Sequence, residues 1–306
     1  MTVRTKHCYN ARAFQAKITI NVEVDKVHDY ESDRVRNIVL LSHSGAGKTS
    51  LAEAMLFNAG IISRLGNPED GTTTSDYDAD EIKRKISISL SLLPCDWKGS
   101  KLNLIDTPGY PDFVAEVKAG LRVSEGAVVV VCAASGVEVG TEQVWAHASE
   151  AKLPCLVFVN KIDRENANFY SALEDVQNRL GARCLPIQLP IGSQKDFQGI
   201  VDLVTRKGYT GTPLQETEVP PALLSEVDSH REKLVEAVVE VDDELITKYL
   251  DGEDIGEDEI YRCVGEATKL GKVVPVLLGS ALKNIAIAPL MDAIHDYLPS
   301  PKDSGV

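Results

Sequence analysis

The chain has no cysteines at metal-binding or disulfide-framework spacing, no long hydrophobic run and no excess of positive charge. Its six cysteines among 306 residues, Cys8, Cys95, Cys132, Cys155, Cys184 and Cys263, are scattered. Neither a zinc site nor a disulfide scaffold is expected, and a reducing compartment is. Cys132 and Cys155 fall in apolar stretches and read as small buried hydrophobes. The longest apolar run, Ala127 to Ser135, is too short to span a bilayer. No secretory leader is recognisable, so the expectation is a cytoplasmic protein with no membrane contact. The net charge of −14 excludes a surface that binds nucleic acid by charge alone; contact with RNA would need a local patch or a protein intermediary. With 43% hydrophobic residues the chain can build real cores, and its length suggests two compact units.

What the chain does have is three short motifs in one order, each after an apolar run. The first run, Asn37–Leu41, reads as a buried strand, and the segment from Thr49 to Ala59 reads as a helix. Between them Ser42 to Gly47 forms a glycine-containing loop ending in Lys48 and Thr49. Strand, loop and helix N-terminus together aim several N–H groups at one point, a cradle for phosphate. Ser44, Gly45, Ala46, Gly47, Lys48, Thr49 and Ser50 are the expected phosphate contacts, with Lys48 at the β- and γ-phosphates and the Thr49 hydroxyl on Mg2+. The pattern usually opens with Gly or Ala; here Ser42 stands there, small enough to be tolerated.

The second motif, Asp106-Thr107-Pro108-Gly109, ends the run Leu102–Ile105. Asp106 is placed to hold Mg2+, and Gly109 to offer its N–H to a γ-phosphate. The third, Asn160-Lys161-Ile162-Asp163, ends Cys155–Val159. A carboxylate at Asp163 matches the N1–H and 2-amino donors of guanine, a pair that adenine lacks, which disfavours an ATP-using enzyme. Asn160 is expected to tie the base loop to the phosphate loop, and the Lys161 stem to lie along the base. After a last strand at Val273–Leu278, the turn Gly279-Ser280-Ala281-Leu282 suits backbone contact with guanine O6.

The remaining apolar runs, Ile86–Leu93, Ala127–Cys132 and Cys184–Leu189, read as further strands. Further helices are expected at Asp112–Arg122, Thr141–Ala151, Phe169–Leu180 and Ile287–Tyr297. This alternation predicts an α/β, P-loop NTPase fold: a mostly parallel sheet with helices on both faces and ligand at the carboxyl ends of the strands. Residues 190–272 stand outside that pattern as an α+β insert. It opens with a strand-like stretch at Phe197–Val204, followed by acidic helices at Leu223–Leu250 and Glu259–Leu270. Residues 1–33, where Ile18, Ile20, Val22 and Val24 alternate with polar residues, form an N-terminal extension that reads as a strand or an extended arm.

The motif set at Gly45–Thr49, Asp106–Gly109, Asn160–Asp163 and Gly279–Leu282 resembles the GTP-binding domain of translational GTPases. The nearest flavour is elongation factor G: Asp112-Phe113 follow the second motif, and Thr72–Leu90 resembles the long first switch of its second-type forms. The resemblance spans Val35 to Pro301. It implies a GTP-binding domain at 34–189 and 273–301, with 302–306 leading towards a next domain, so the chain is either a fragment or a stand-alone relative. It also implies GTP or GDP with Mg2+ as ligands, Ser87 as a further Mg2+ ligand, and a monomer that meets the ribosome through rRNA and, at the 190–272 insert, a stalk protein. Lys48, Gly109 and Tyr110 are the implied catalytic group. Two positions depart from the family. Tyr110 stands where a water-orienting histidine is usual, and a phenol cannot take up a proton at neutral pH. Gly45 stands where an aspartate commonly helps hold a monovalent cation. Two functions follow as expectations: a GTPase driving a ribosome-linked step, or a GTP-dependent binding switch with little hydrolysis.

Overall fold

The computed structural model describes residues 29–180 and 184–305; the alternating segment Ile18–Val24 lies outside them. The central strands form because their sequences are apolar at every position, the pattern demanded when a parallel sheet is covered on both faces. β4 (Gly126–Cys132), β5 (Cys155–Asn160) and β11 (Val274–Leu278) are buried throughout. They lie beside β1 (Val35–Leu41), β3 (Ser100–Asp106), β2 (Ser91–Trp97) and β6 (Cys184–Pro186) in the order β2-β3-β1-β4-β5-β11-β6. All pairings are parallel except β2 with β3. β2 is an edge strand and alternates buried with exposed, as one covered face requires.

β1 sits between β3 and β4, so the direction of strand progression reverses there. Such a switch point opens a crevice beyond the carboxyl ends of the strands. β1, β3, β5 and β11 all deliver their following loops to that end. The covering helices are α1 (Lys48–Asn58), α3 (Val114–Arg122), α4 (Val139–Glu150), α5 (Phe169–Arg179) and α9 (Ile287–Tyr297), with a short α2 (Ala79–Arg84) between α1 and β2. α1 packs on α9, and α3 on α4. Arg36, buried in β1, closes the far end: its guanidinium donates to the His295 carbonyl at 2.9 and 3.2 Å and to the Asp33 carbonyl at 2.7 Å. It thereby satisfies a C-terminal carbonyl that α9 leaves without an intrahelical donor.

A second, antiparallel sheet has the order β10-β9-β8-β7, from β7 (Gln188–Ile191), β8 (Gly199–Asp202), β9 (Lys207–Thr210) and β10 (Gln215–Thr217). After it come α6 (Leu224–Val239), α7 (Asp243–Leu250) and α8 (Glu257–Lys269). One apolar cluster joins the two sheets, taking in Ile38 and Val276 as well as Leu189, Leu203 and Val264.

The fold class agrees with the sequence, and three elements differ from expectation for identifiable reasons. Ile86–Leu90 alternates like a strand but is not one, because its amides bond to side chains instead of a neighbouring strand. Glu81 Oε1 accepts from the N–H groups of Ile88 and Ser89 at 2.9 and 3.0 Å, and Glu116 Oε2 from Leu90 at 3.0 Å. The run Cys184–Leu189 divides at Ile187, its first part joining the large sheet and its second the small one. The helix expected over Leu223–Leu250 is two helices, because Asp242 accepts from the N–H groups of Glu244 and Leu245 and starts a new one. The described cysteines, Cys95, Cys132, Cys155, Cys184 and Cys263, are free and buried.

Candidate nucleotide site

The loop after β1 turns through Gly45 and Gly47 at positive φ, +82° and +98°, and delivers Lys48 as the first residue of α1. The N–H groups of the first turn have few intrahelical acceptors, which makes that terminus an anion site. Lys48 is buried, its ammonium donating to Ser42 Oγ at 2.9 Å. Burial pushes its pKa down to about 8, opposed by the charges of Asp106 and Asp76. A lysine buried at a helix N-terminus, with its charged form disfavoured by desolvation, suits the binding of an anion.

At the end of β3, Asp106 is buried and accepts from Thr49 Oγ1 at 2.8 Å through Oδ2. Its Oδ1 and the neighbouring Ser75 hydroxyl are buried without a partner of regular geometry among the described residues. Burial pushes the Asp106 carboxyl up to about 6, against the pull of Lys48 and Thr49. Thr49 Oγ1 lies 3.2 Å from Ser87 Oγ, which donates to Asp76 Oδ1 at 2.7 Å. Thr49, Ser87 and Asp106 therefore meet at one point, on a chain of oxygens that ends in Asp76. Hard oxygen donors, one of them an orphaned carboxylate oxygen, fit Mg2+, which takes few protein ligands and completes its shell with phosphate and water.

The raised carboxyl has a consequence for stability. A group whose folded pKa exceeds its unfolded value costs stability above the folded pKa, and the cost disappears as pH falls towards the unfolded value near 4. The Asp106→Asn chain without nucleotide is therefore expected to exceed the unaltered chain in stability by about 3 kcal/mol at pH 7.5. The gap should close between pH 6 and 4, and urea unfolding across that range measures it.

The segment from residue 66 to 90 is anchored by carboxylates that sequence reading missed. Glu53, buried in α1, accepts from the N–H groups of Gly66 at 3.1 Å and Thr74 at 2.5 Å. Glu81 holds Ile88 and Ser89, and it completes a capping box with Asp78 at the start of α2. That box was readable as Asp-x-x-Glu. Asp76 and Glu53 carry no such local signal, because only the fold brings them to Ser87 and to residues 66–74.

The base-side elements converge on Asn160. Its Nδ2 donates to the Ala46 carbonyl at 3.0 Å, and its Oδ1 accepts from Lys161 N at 2.8 Å and Ala281 N at 3.0 Å. One side chain thus ties together the loops after β1, β5 and β11. Lys161 Nζ donates to the Gly45 carbonyl at 2.5 Å. Asp163 is 12% exposed, and Lys283 Nζ stands 3.9 Å from its Oδ2. In the turn after β11, Gly279 N bonds Val159 O and Ser280 N bonds Ile285 O. With Ala281 N on Asn160, a base oxygen approaching Ala281 would share a committed donor. Leu282 is exposed.

Gly109 lies against the phosphate loop so closely that a Cβ there would stand 2.8 Å from Lys48 Nζ and 2.8 Å from Ser44 Cα. Tyr110 follows it, 41% exposed. The cleft these elements enclose measures ≈ 360 Å3, and its walls include Lys48, Thr49, Ser87, Tyr110, Asn160 and Asp163, within the range of small-molecule sites.

A phosphate cradle at the switch point of a mostly parallel sheet defines a P-loop NTPase domain. Within that class the chain belongs to the family described as elongation factor Tu GTP binding domain, which matches residues 33–300. It is 43% identical to elongation factor G of Thermotoga petrophila over 288 residues, 92% of this chain and 41% of that protein. It is equally identical to elongation factor G of Thermotoga maritima over 276 residues, 89% of this chain and 40% of that one. A crystal structure of a protein from Thermus thermophilus superposes with a TM-score of 0.84 at 36% identity, covering 89% of this chain and 41% of that one. The chain thus spans about two-fifths of the length of the relatives it matches. Among the described residues, no helix is long and apolar enough to cross a membrane.

Proposed function

We propose that the chain is the GTP-binding and GTP-cleaving unit of an elongation-factor-G-type translation factor, converting GTP to GDP and phosphate in a ribosome-linked step. The observation that carries this reading is the three-way bond of Asn160, which fixes the phosphate loop and both base loops as one frame beside Asp163. In this reading Lys48 and the α1 N-terminus hold the phosphates, and Gly109 offers its N–H to the γ-phosphate. Asp163 takes the N1–H and 2-amino groups of guanine, and Lys161 lies along the ring. Thr49, Ser87 and Asp106 would hold Mg2+, which would supply neutralisation of phosphate charge. Tyr110 orients the attacking water by hydrogen bonding. Residues 34–189 and 273–301 form the nucleotide domain of a cytoplasmic monomer. Residues 190–272 form an insert facing a ribosomal stalk protein, and 302–306 lead to a next domain that meets rRNA.

A second reading, a GTP-dependent switch with little hydrolysis, is favoured by Tyr110 and Gly45. Gly109 is followed by a phenol in place of an imidazole, and position 45 carries no carboxylate. Single-turnover GTP cleavage with and without ribosomes separates the two: stimulation supports the first, and tight GTP binding without stimulation supports the second. Tyr110→His is expected to raise the rate by about tenfold or more. An unchanged rate would move the limiting defect to Gly45.

A further inference from the structure

Tyr110 is a wall of two spaces: the nucleotide cleft and a second cavity of ≈ 460 Å3 between the loop after β3, α3 and α4. The second cavity is apolar on the loop and α3 sides, through Pro108, Pro111, Val114 and Val117. On α4 its wall is the stripe Gly140, Gln143, Val144 and His147, residues spaced to share one helix face. The stripe places two polar side chains, Gln143 and His147, where everything else is hydrocarbon. A phenol needs such a place, because its ring is apolar and its hydroxyl requires a partner once it leaves water.

We propose that His147 is a positioning residue for Tyr110. When the Tyr110 side chain turns into this cavity, a ring nitrogen of His147 accepts the phenol O–H, so that a lone pair of the phenol oxygen faces the attacking water. The imidazole that the loop lacks beside Gly109 is thereby supplied from α4, acting through the tyrosine. Glu150, on the same helix, lies 4.0 Å from His147 Nδ1, and the residues that α3 contributes to the cavity, Val114 and Val117, are uncharged. This inference rests on the hydrolytic reading for its consequence but not for the contact itself.

The test combines a contact readout with a rate. The protein is labelled with 13Cζ-tyrosine, and Tyr110→Phe identifies the Tyr110 signal among the nine tyrosines. That signal is expected to shift in His147→Ala and to return towards its original position in His147→Gln. Single-turnover cleavage is expected to fall about tenfold in His147→Ala. In His147→Gln, whose amide oxygen still accepts, it should recover in part. A Tyr110 signal at the same position in the unaltered chain and in His147→Ala overturns the proposal, whatever the rates do. Absence of cleavage in every variant overturns the hydrolytic reading instead, while the tyrosine signal still decides the contact.

Discussion

Gly47→Ala is expected to lose about 100-fold or more in affinity for GTP and GDP. Two costs coincide at this position. The backbone is left-handed, with φ +98°, which strains any residue with a Cβ by about 1–2 kcal/mol. The Cβ itself would stand 2.6 Å from Asn160 Nδ2, the atom that bonds the Ala46 carbonyl. Moving Asn160 away loosens its grip on Lys161 N and Ala281 N at the same time, so the injury spreads from the phosphate side to the base side. Titration calorimetry with GDP, on protein shown by circular dichroism to be folded, measures the loss. Affinity within a few-fold of the unaltered chain would mean that the frame does not depend on Asn160.

Asp163→Ala should have an effect of similar size but different character. In the proposed reading this carboxylate accepts two hydrogen bonds from guanine, and its removal is expected to cost about 10²–10³-fold in GTP affinity. The more telling quantity is the ratio between GTP and ITP, because hypoxanthine lacks only the 2-amino group. The unaltered chain should prefer GTP, and the variant should approach no preference. Lys283 loses its partner in this variant, but it is partly exposed and water can replace an exposed ion pair at little cost. A variant that binds weakly yet keeps the full GTP preference would move base recognition elsewhere in the cleft.

The parts of the site that were legible in the sequence are those whose chemistry is local. Asp106 and Asn160 end strands, Asp163 lies three residues beyond one, and Lys48 and Thr49 open the helix after a short loop; a strand end fixes where the next few residues go. The large sheet was legible for the same reason: Ala127–Cys132 and Cys155–Val159 are apolar at every position, as strands buried on both faces must be. Alternation misled where side chains replaced a neighbouring strand. Ile86 to Leu90 has the period of a strand, but Glu81 and Glu116 take its amides. Asp76 was invisible because its partner Ser87 lies across a helix in sequence and beside it only after folding. Lys283 was equally hidden, since its relation to Asp163 joins loops that follow two different strands. The antiparallel hairpins of the small sheet are short and partly exposed, and strands of three or four residues carry little periodic signal.

The two departures, Gly45 and Tyr110, acquire a physical setting in the fold. Gly45 has φ +82° with nothing within 4 Å of the place a Cβ would occupy, so an aspartate there would have room and would meet backbone strain. Tyr110 stands between the nucleotide cleft and the α4 cavity, so groups far from it in sequence share its surroundings. In the proposed reading, binding and cleavage depend on different parts of the molecule, the first on the Asn160 frame and the second on the loop after Asp106.

The central claim is that this cleft selects guanine nucleotides. Competitive calorimetric titration of the nucleotide-free chain with GDP, GTP and ATP in the presence of Mg2+ tests it most directly. The account predicts binding of GDP and GTP with ATP weaker by at least about 100-fold; equal affinity for ATP and GTP would contradict it.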